Sequence, residues 1–235
     1  MSHWWTDTNF GNSRIEQVTL AELHRILDAA PAKRPRNEII LHHTWSPTAA
    51  QYKGRPTWAA IDGYHEKTRG WSDIGYHIGV APNGTIWLLR PIQAAGAHCV
   101  NHNSYGIGVV MLGNYDKGKD DPKKVLPVAA DVCAALCKRF NIPAGKIFGH
   151  RDFADKSCPG TAIDMAAFRK SVAATGASPA PQPSPTAKTI KLVDLMTGKT
   201  LAEVAPDLAA LIVTHKPAPN GDHRADQAKL YLAKR

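Results

Sequence analysis

No stretch of the 235-residue chain approaches the roughly 20 consecutive apolar residues that a membrane-spanning helix needs, so bilayer insertion is not expected. Cysteine is scarce. The four present, Cys99, Cys133, Cys137 and Cys158, follow no framework spacing, which argues against a disulfide-stapled scaffold. Cys133 and Cys137 stand four apart in a helical pattern and read as two small buried hydrophobes. The opening "MSHWWTDTNFGNSRIEQ" lacks a basic n-region and a sustained apolar run. It does not read as a secretory signal, and the expectation is a protein made and held in the cytoplasm. There is no long Lys/Arg run, no zinc-finger spacing and no RNA-recognition motif, so nucleic acid is not expected as a partner. No internal repeat is visible.

What is present is ordinary for a globular chain: 43% apolar and 21% charged residues, enough to build a substantial core. The formal net charge of +9 favours a polyanionic partner, with a bacterial wall polymer or an anionic surface remaining once nucleic acid is set aside.

The clearest boundary is "TGASPAPQPSPTAK", residues 175–188, where proline alternates with small residues in an extended linker. It divides a main domain, residues 1–174, from a small C-terminal module, residues 189–235. In the main domain, "TLAELHRIL" carries a capping box from Thr19 to Glu22 and sets Leu20, Leu23 and Leu27 on one face. "EIILHH" (Glu38–His43) reads as a buried strand. "PTWAAIDGYHEKTRG" reads as a helix with Trp58, Ile61 and His65 at helical spacing, closed by Gly70. "GYHIGVAPNGTIWLLR" reads as a hairpin, with Asn83-Gly84 suited to the positive φ of a tight turn. "YGIGVVML" is a second buried strand. "VLPVAADVCAALCKRF" repeats Val125, Val128, Val132, Leu136 and Phe140 along a helix with basic residues in its last turn. "KIFGH" is a final strand and "AIDMAAFRKSV" a final helix. Strands alternating with helices predict an α/β fold, a single mixed central β-sheet flanked by helices.

Two of these apolar strands run into histidine, His42 and His150, and strand ends are where a rigid scaffold presents functional side chains. Eight residues after His150 stands Cys158, followed by Pro159. Two imidazoles and a thiolate make a three-ligand zinc site with the fourth position open, as in catalytic zinc. A nucleophilic Cys158 with His150 as its base is chemically sound too, and spacing does not reject it. His43 and His77 alternate away from their neighbours on the strands.

Four segments, "IILHHTWSPT", "DIGYHIGVAPNGTI", "GAHCVNHNSYGIGVVMLGNYD" and "GHRDFADKSCPG", resemble in order and spacing the zinc-dependent N-acetylmuramoyl-L-alanine amidases. These share the fold of the peptidoglycan-recognition proteins, and phage endolysins form one branch. The resemblance covers residues 36–172. It implies one zinc ion per chain held by His42, His150 and Cys158, with Tyr76 and Lys156 as catalytic residues. The implied reaction is hydrolysis of the amide joining muramic acid to L-alanine in bacterial peptidoglycan. Lys156 would stabilise the oxyanion, and Tyr76 would hydrogen-bond the water or intermediate and help pass a proton to the leaving amine. His98 matches a family histidine near the substrate groove and is a candidate substrate contact. Asn103 is a second candidate contact, but beside His102 it reads first as a residue that shapes its loop. Trp45 and Trp71 are candidate apolar platforms for sugar or peptide, with core packing as their alternative. Cys99 is a small loop residue.

One branch of the fold only binds peptidoglycan and typically lacks the cysteine ligand. Another, the cytosolic recycling amidases, commonly has aspartate there. Cys158 together with "GYH" leans towards a lytic, endolysin-like enzyme that waits in the cytoplasm until the membrane is breached. In the tail, "KLVDLMTGKTLAEV" reads as a hairpin turning at Thr197-Gly198. Its "GKT" is no phosphate loop, because Val193 stands where the first glycine is required. A wall-binding or partner-binding accessory is the expectation, with a packing extension as the alternative.

Overall fold

The computed structural model describes residues 3–6, 14–31, 33–177, 190–193 and 200–204. Contacts divide the chain into two units, Met1–Ser178 and Pro179–Arg235. In chain order the first unit contains β1 (Glu16–Val18), α1 (Leu20–Ala29), β2 (Glu38–His43), α2 (Arg55–Lys67), β3 (Ile78–Val80) and β4 (Ile86–Leu88). It continues with β5 (Gly106–Met111), α3 (Val125–Phe140), β6 (Ile147–Gly149) and α4 (Met165–Ala177).

Local chemistry sets the helix ends. Thr19 Oγ1 accepts the Glu22 N–H at 3.1 Å, and the Glu22 carboxylate accepts the Thr19 N–H at 2.7 Å, so the predicted capping box opens α1. α2 starts at Arg55 with proline in its first turn, where the missing N–H costs nothing. α3 ends in Lys138 and Arg139, favourable at the negative end of a helix, and Asn141 turns left-handed to stop it. The buried stripe of α3 is formed by Val125, Ala129, Val132, Cys133 and Leu136. Val128 and Phe140, placed by spacing on the same face, are only half-buried. Cys133 and Cys137 are free.

The six strands form one mixed sheet in the order β1-β4-β3-β5-β2-β6. β3, β5, β2 and β6 run parallel, while β4 pairs antiparallel with both β3 and β1. β2 and β5 are buried along their whole length, as parallel strands covered on both faces must be. Strand alternation sorts the two layers. Val109 and Met111 join a core with Leu23, Leu27, Val132, Leu136 and Phe168 of α1, α3 and α4. Val110, between them, faces the other way against Trp58 and Ile61 of α2. β1 has no counterpart in the sequence reading, because three residues are too short to show alternation.

The β3–β4 hairpin forms with one difference from expectation. Ala81 C=O accepts the Gly84 N–H at 2.9 Å, and of the pair Asn83-Gly84 only Gly84 has a positive φ, 85°. Asn83 contributes its side chain instead, accepting from Thr85 N–H and Oγ1. At the other end, α4 runs to Ala177, three residues into the stretch read as linker, and Thr175 Oγ1 lies 3.4 Å from Asp131 Oδ1 of α3. A helical turn with a neighbour to pack on is favoured until proline enters the run.

In the second unit, β7 (Ile190–Val193) and β8 (Thr200–Val204) pair antiparallel. The expected turn at Thr197-Gly198 and the Pro-rich run lie outside the described residues, as does most of the C-terminal module. Among the described residues no helix is long and apolar enough to cross a membrane.

Candidate metal centre

Parallel register brings the site together. Leu41 of β2 stands opposite Gly149 of β6, so the next residue on each chain, His42 and His150, emerges at the same edge of the sheet. Their rings lie 4.7 Å apart. Ligands collect at this carboxyl edge in parallel α/β sheets because strands end there together and loops begin.

Cys158 returns to the same edge on a loop tied at several points. The Arg151 N–H donates to Cys158 O at 2.7 Å, and the Arg151 guanidinium donates to the carbonyls of Gly160 and Ile163. The Asp116 carboxylate accepts from Ser157 Oγ at 3.1 Å and Thr161 N–H at 2.9 Å, and these bonds hold its pKa below the usual range. Gly160 adopts φ 119°, and a Cβ there would meet Tyr115 O at 2.3 Å, so only glycine fits. Neither Arg151 nor Asp116 was singled out from the sequence. Both lie within the quoted motifs, but their targets are backbone groups that no motif displays.

The result is a compact donor set. One ligand atom from each of His42, His150 and Cys158 lies within 4.8 Å of the others. Cys158 Sγ is 3.6 Å from His42 Nδ1 and accepts the His43 N–H at 3.3 Å. Tetrahedral zinc, with bonds of about 2.1 Å to nitrogen and 2.3 Å to sulfur, needs these donors about 3.6 Å apart. The His42–Cys158 pair has this separation, and two imidazoles with a thiol are donor types that suit zinc. Without a cation, burial holds His42 well below the ordinary histidine value, and the neighbouring His98 and His150 push it the same way. Burial, then Lys156, lowers His150 to about 4, and burial raises the Cys158 thiol to about 12. Both imidazoles are thus neutral donors, and Cys158 would have to give up its thiol proton to serve as a third ligand.

The remaining candidates fall into two groups. Tyr76 packs beside His42 with ring centroids 5.1 Å apart, and burial followed by the charge of Cys158 raises its pKa, keeping the phenol protonated. Lys156 is exposed at the rim of a cavity of about 440 Å³ that His42, Tyr76, His150 and Cys158 also line. Trp45 is 62% exposed with φ 58°, and it borders both this cavity and an adjoining groove of about 960 Å³. That groove runs along α2 past Tyr64 and His65, reaching Gln51 and Lys53 on the facing loop, none of which the sequence reading placed at a site.

The three other candidate contacts line neither cavity. His98 is buried behind His42, with Nδ1 3.1 Å from His42 Nε2, and lines neither cavity. The Asn103 carboxamide oxygen accepts the N–H groups of His98 and Cys99 at 2.8 and 2.9 Å, so it staples its own loop. Trp71 also lines neither cavity. It packs on His65 at 4.6 Å because the chain turns back after Gly70. His43 turns away from His42, its Nδ1 accepting the Tyr115 N–H, and His77 Nδ1 accepts the Gly108 N–H.

Comparison with known proteins places this geometry among relatives. The profile of the N-acetylmuramoyl-L-alanine amidase family matches residues 32–161. Peptidoglycan-recognition protein LB of Drosophila melanogaster is 31% identical over 129 residues, covering 54% of this chain and 55% of that protein. The N-acetylmuramoyl-L-alanine amidase of Homo sapiens is 30% identical over 134 residues, covering 55% of this chain and 23% of that one. The chain thus spans about half the length of the first relative and under a quarter of the second. Among solved structures, the endolysin amidase LysCS from Clostridium intestinale URNW superposes with a TM-score of 0.51 at 27% identity, covering 60% of this chain and 85% of that one.

Proposed function

The chain belongs to the N-acetylmuramoyl-L-alanine amidase family, and from that premise we propose that it is a zinc-dependent hydrolase of bacterial peptidoglycan. It cleaves the amide between N-acetylmuramic acid and L-alanine as an endolysin-type lytic enzyme, held in the cytoplasm until lysis. The observation that carries this reading is the convergence of His42, His150 and Cys158 within 4.8 Å at one sheet edge, beside an open groove.

When bound, zinc supplies a Lewis acid that makes water nucleophilic at neutral pH. His42, His150 and the Cys158 thiolate would hold the ion. Trp45 and the α2 wall of the groove bind the peptide and sugar flanking the scissile amide, converting attack into an intramolecular step. The Lys156 ammonium at the rim stabilises negative charge as it develops on the amide oxygen. Tyr76, protonated at neutral pH, donates a hydrogen bond at the reacting centre and relays a proton to the departing alanine nitrogen. The second unit, residues 179–235, serves as a wall-binding or partner-binding accessory.

Recognition proteins among the relatives supply the rival reading, a module that binds peptidoglycan without cutting it. Retention of Cys158 favours the enzyme, because a site that only binds needs no third ligand. Incubation of the zinc-loaded protein with purified muropeptides decides between them. New L-alanine amino termini without new sugar reducing ends are expected, lost with chelator and recovered with zinc. Binding without any product sinks the proposal, and activity indifferent to chelation points to a thiol nucleophile instead.

A further inference from the structure

One imidazole beside the metal centre is not used by the steps above. His98 is buried, and its ring meets that of His42 edge to face at 5.1 Å. It occupies a slot walled by glycine. A Cβ on Gly96 would come within 2.3 Å of His98 Cδ2, and one on Gly108 within 2.6 Å. Asn103 fixes the backbone from which the ring projects, and His77 packs against its far side at 5.6 Å. Loop, strand and two missing side chains all serve to set one imidazole behind one ligand.

The tautomers follow from which nitrogen faces the sulfur. Cys158 Sγ approaches His42 from the Nδ1 side at 3.6 Å, so Nδ1 is the nitrogen available to a metal. A ligating nitrogen offers its lone pair, which leaves the His42 proton on Nε2, and the atom facing Nε2 is His98 Nδ1 at 3.1 Å. With zinc on His42 Nδ1 that nitrogen would accept, placing the His98 proton on Nε2, an atom buried without a hydrogen-bond partner among the described residues. We propose that His98 is a positioning residue of the metal centre: it accepts the Nε2–H of His42, locks that ligand in orientation and tautomer, and contacts no substrate. Metal-bound histidines more often donate to a carboxylate, carbonyl or water. A neutral imidazole adds no negative charge, so a site with one thiolate would leave a divalent ion a net positive charge. The assignment rests on the zinc reading above.

The test compares zinc affinity, by chelator competition, in the parent, His98→Leu and His98→Asn. Leucine fills the slot without an acceptor, whereas the asparagine oxygen stands where Nδ1 stood. Affinity should fall about 10- to 100-fold in His98→Leu and recover at least tenfold of a hundredfold loss in His98→Asn, with the metal-free melting temperatures of the two variants alike. Unchanged affinity in His98→Leu, or equal weakening in both variants, overturns the proposal. If His98→Leu does not fold, imidazole nitrogen-15 shifts of the zinc-loaded parent decide. Protonation of His98 on Nε2 supports the assignment and protonation on Nδ1 overturns it. A parent that takes up no zinc defeats the reading of the site itself. A parent that binds zinc while His98→Leu binds it equally well defeats the role of His98 alone.

Discussion

Cys158 Sγ lies 3.6 Å from His42 Nδ1, although 116 residues separate them in the chain. Their contact depends on two independent supports, the parallel pairing of β2 with β6 and the Asp116–Arg151 ties of the loop. The site is therefore sensitive both to its donors and to residues that touch no donor.

Replacing the thiolate tests the first dependence. Cys158→Ala should lower zinc content and activity together, whereas Cys158→Asp should keep part of the zinc, since a carboxylate can replace a thiolate at a tetrahedral site. Metal analysis alongside the muropeptide assay checks this. Full activity in a zinc-free Cys158→Ala protein would exclude the metal site.

Lys156 and Tyr76 should separate chemistry from metal binding. Lys156 is exposed and outside the donor set, so Lys156→Ala should lower kcat by about 10²–10³ and leave zinc content near one per chain. Tyr76→Phe keeps the packed ring and removes only the hydroxyl. Its kcat should fall by about 10²–10⁴ with little change in melting temperature. An unaltered kcat in either variant removes that residue from the mechanism.

Gly160→Ala tests the loop. The new Cβ must enter a positive-φ conformation and meet Tyr115 O at 2.3 Å. The expected cost is at least about 2 kcal/mol of stability, with weaker zinc binding because Cys158 shifts with the loop. Thermal unfolding and chelator competition measure the two effects, and a variant matching the parent in both shows that the loop relaxes freely.

The metal-free protein should lose stability in acid. Burial, then Arg90 and Arg69, lowers His65 to about 4, and its Nδ1 accepts the Gly75 N–H at 3.2 Å. Between that value and the unfolded value of about 6.5 the unfolded chain binds the proton and the folded one does not, so stability rises with pH across this window. It is fully present above about pH 6.5 and declines as the pH falls towards 4. His65→Gln, which can still accept the Gly75 N–H, should flatten this slope in denaturant titrations. An identical slope assigns the acid lability to the other buried histidines.

A chain ending at residue 178 should fold and hydrolyse soluble muropeptides, because the sheet, both cavities and all three donors lie before that point. If the second unit targets the wall, the shortened protein clears intact sacculi more slowly than the full chain at equal muropeptide activity. Equal clearance argues for a packing role, and failure to fold places part of the core beyond residue 178.

Much of this protein is written locally. The Thr19–Glu22 cap, the apolar run ending in His42, and the eight-residue step from His150 to Cys158 are short-range patterns, and each corresponds to an element or donor in the fold. Local patterns also place Trp58, Ile61 and His65 on one helix face, since helical periodicity depends on the helix alone. What spacing could not supply was the partner of each side chain across the fold. His98 reads equally well as a substrate contact or not until Gly96, Gly108 and His42 are seen around it, whereas Asn103 reads as a loop residue whose amide partners only the fold displays. Trp45 and Trp71 read alike, yet one borders the groove and the other packs on His65. β1 is too short to announce itself, and Arg151 and Asp116 act on carbonyls and amides that every residue possesses. Strand register and loop closure decided these cases, because they bring together atoms whose separation along the chain leaves no mark in its periodicity.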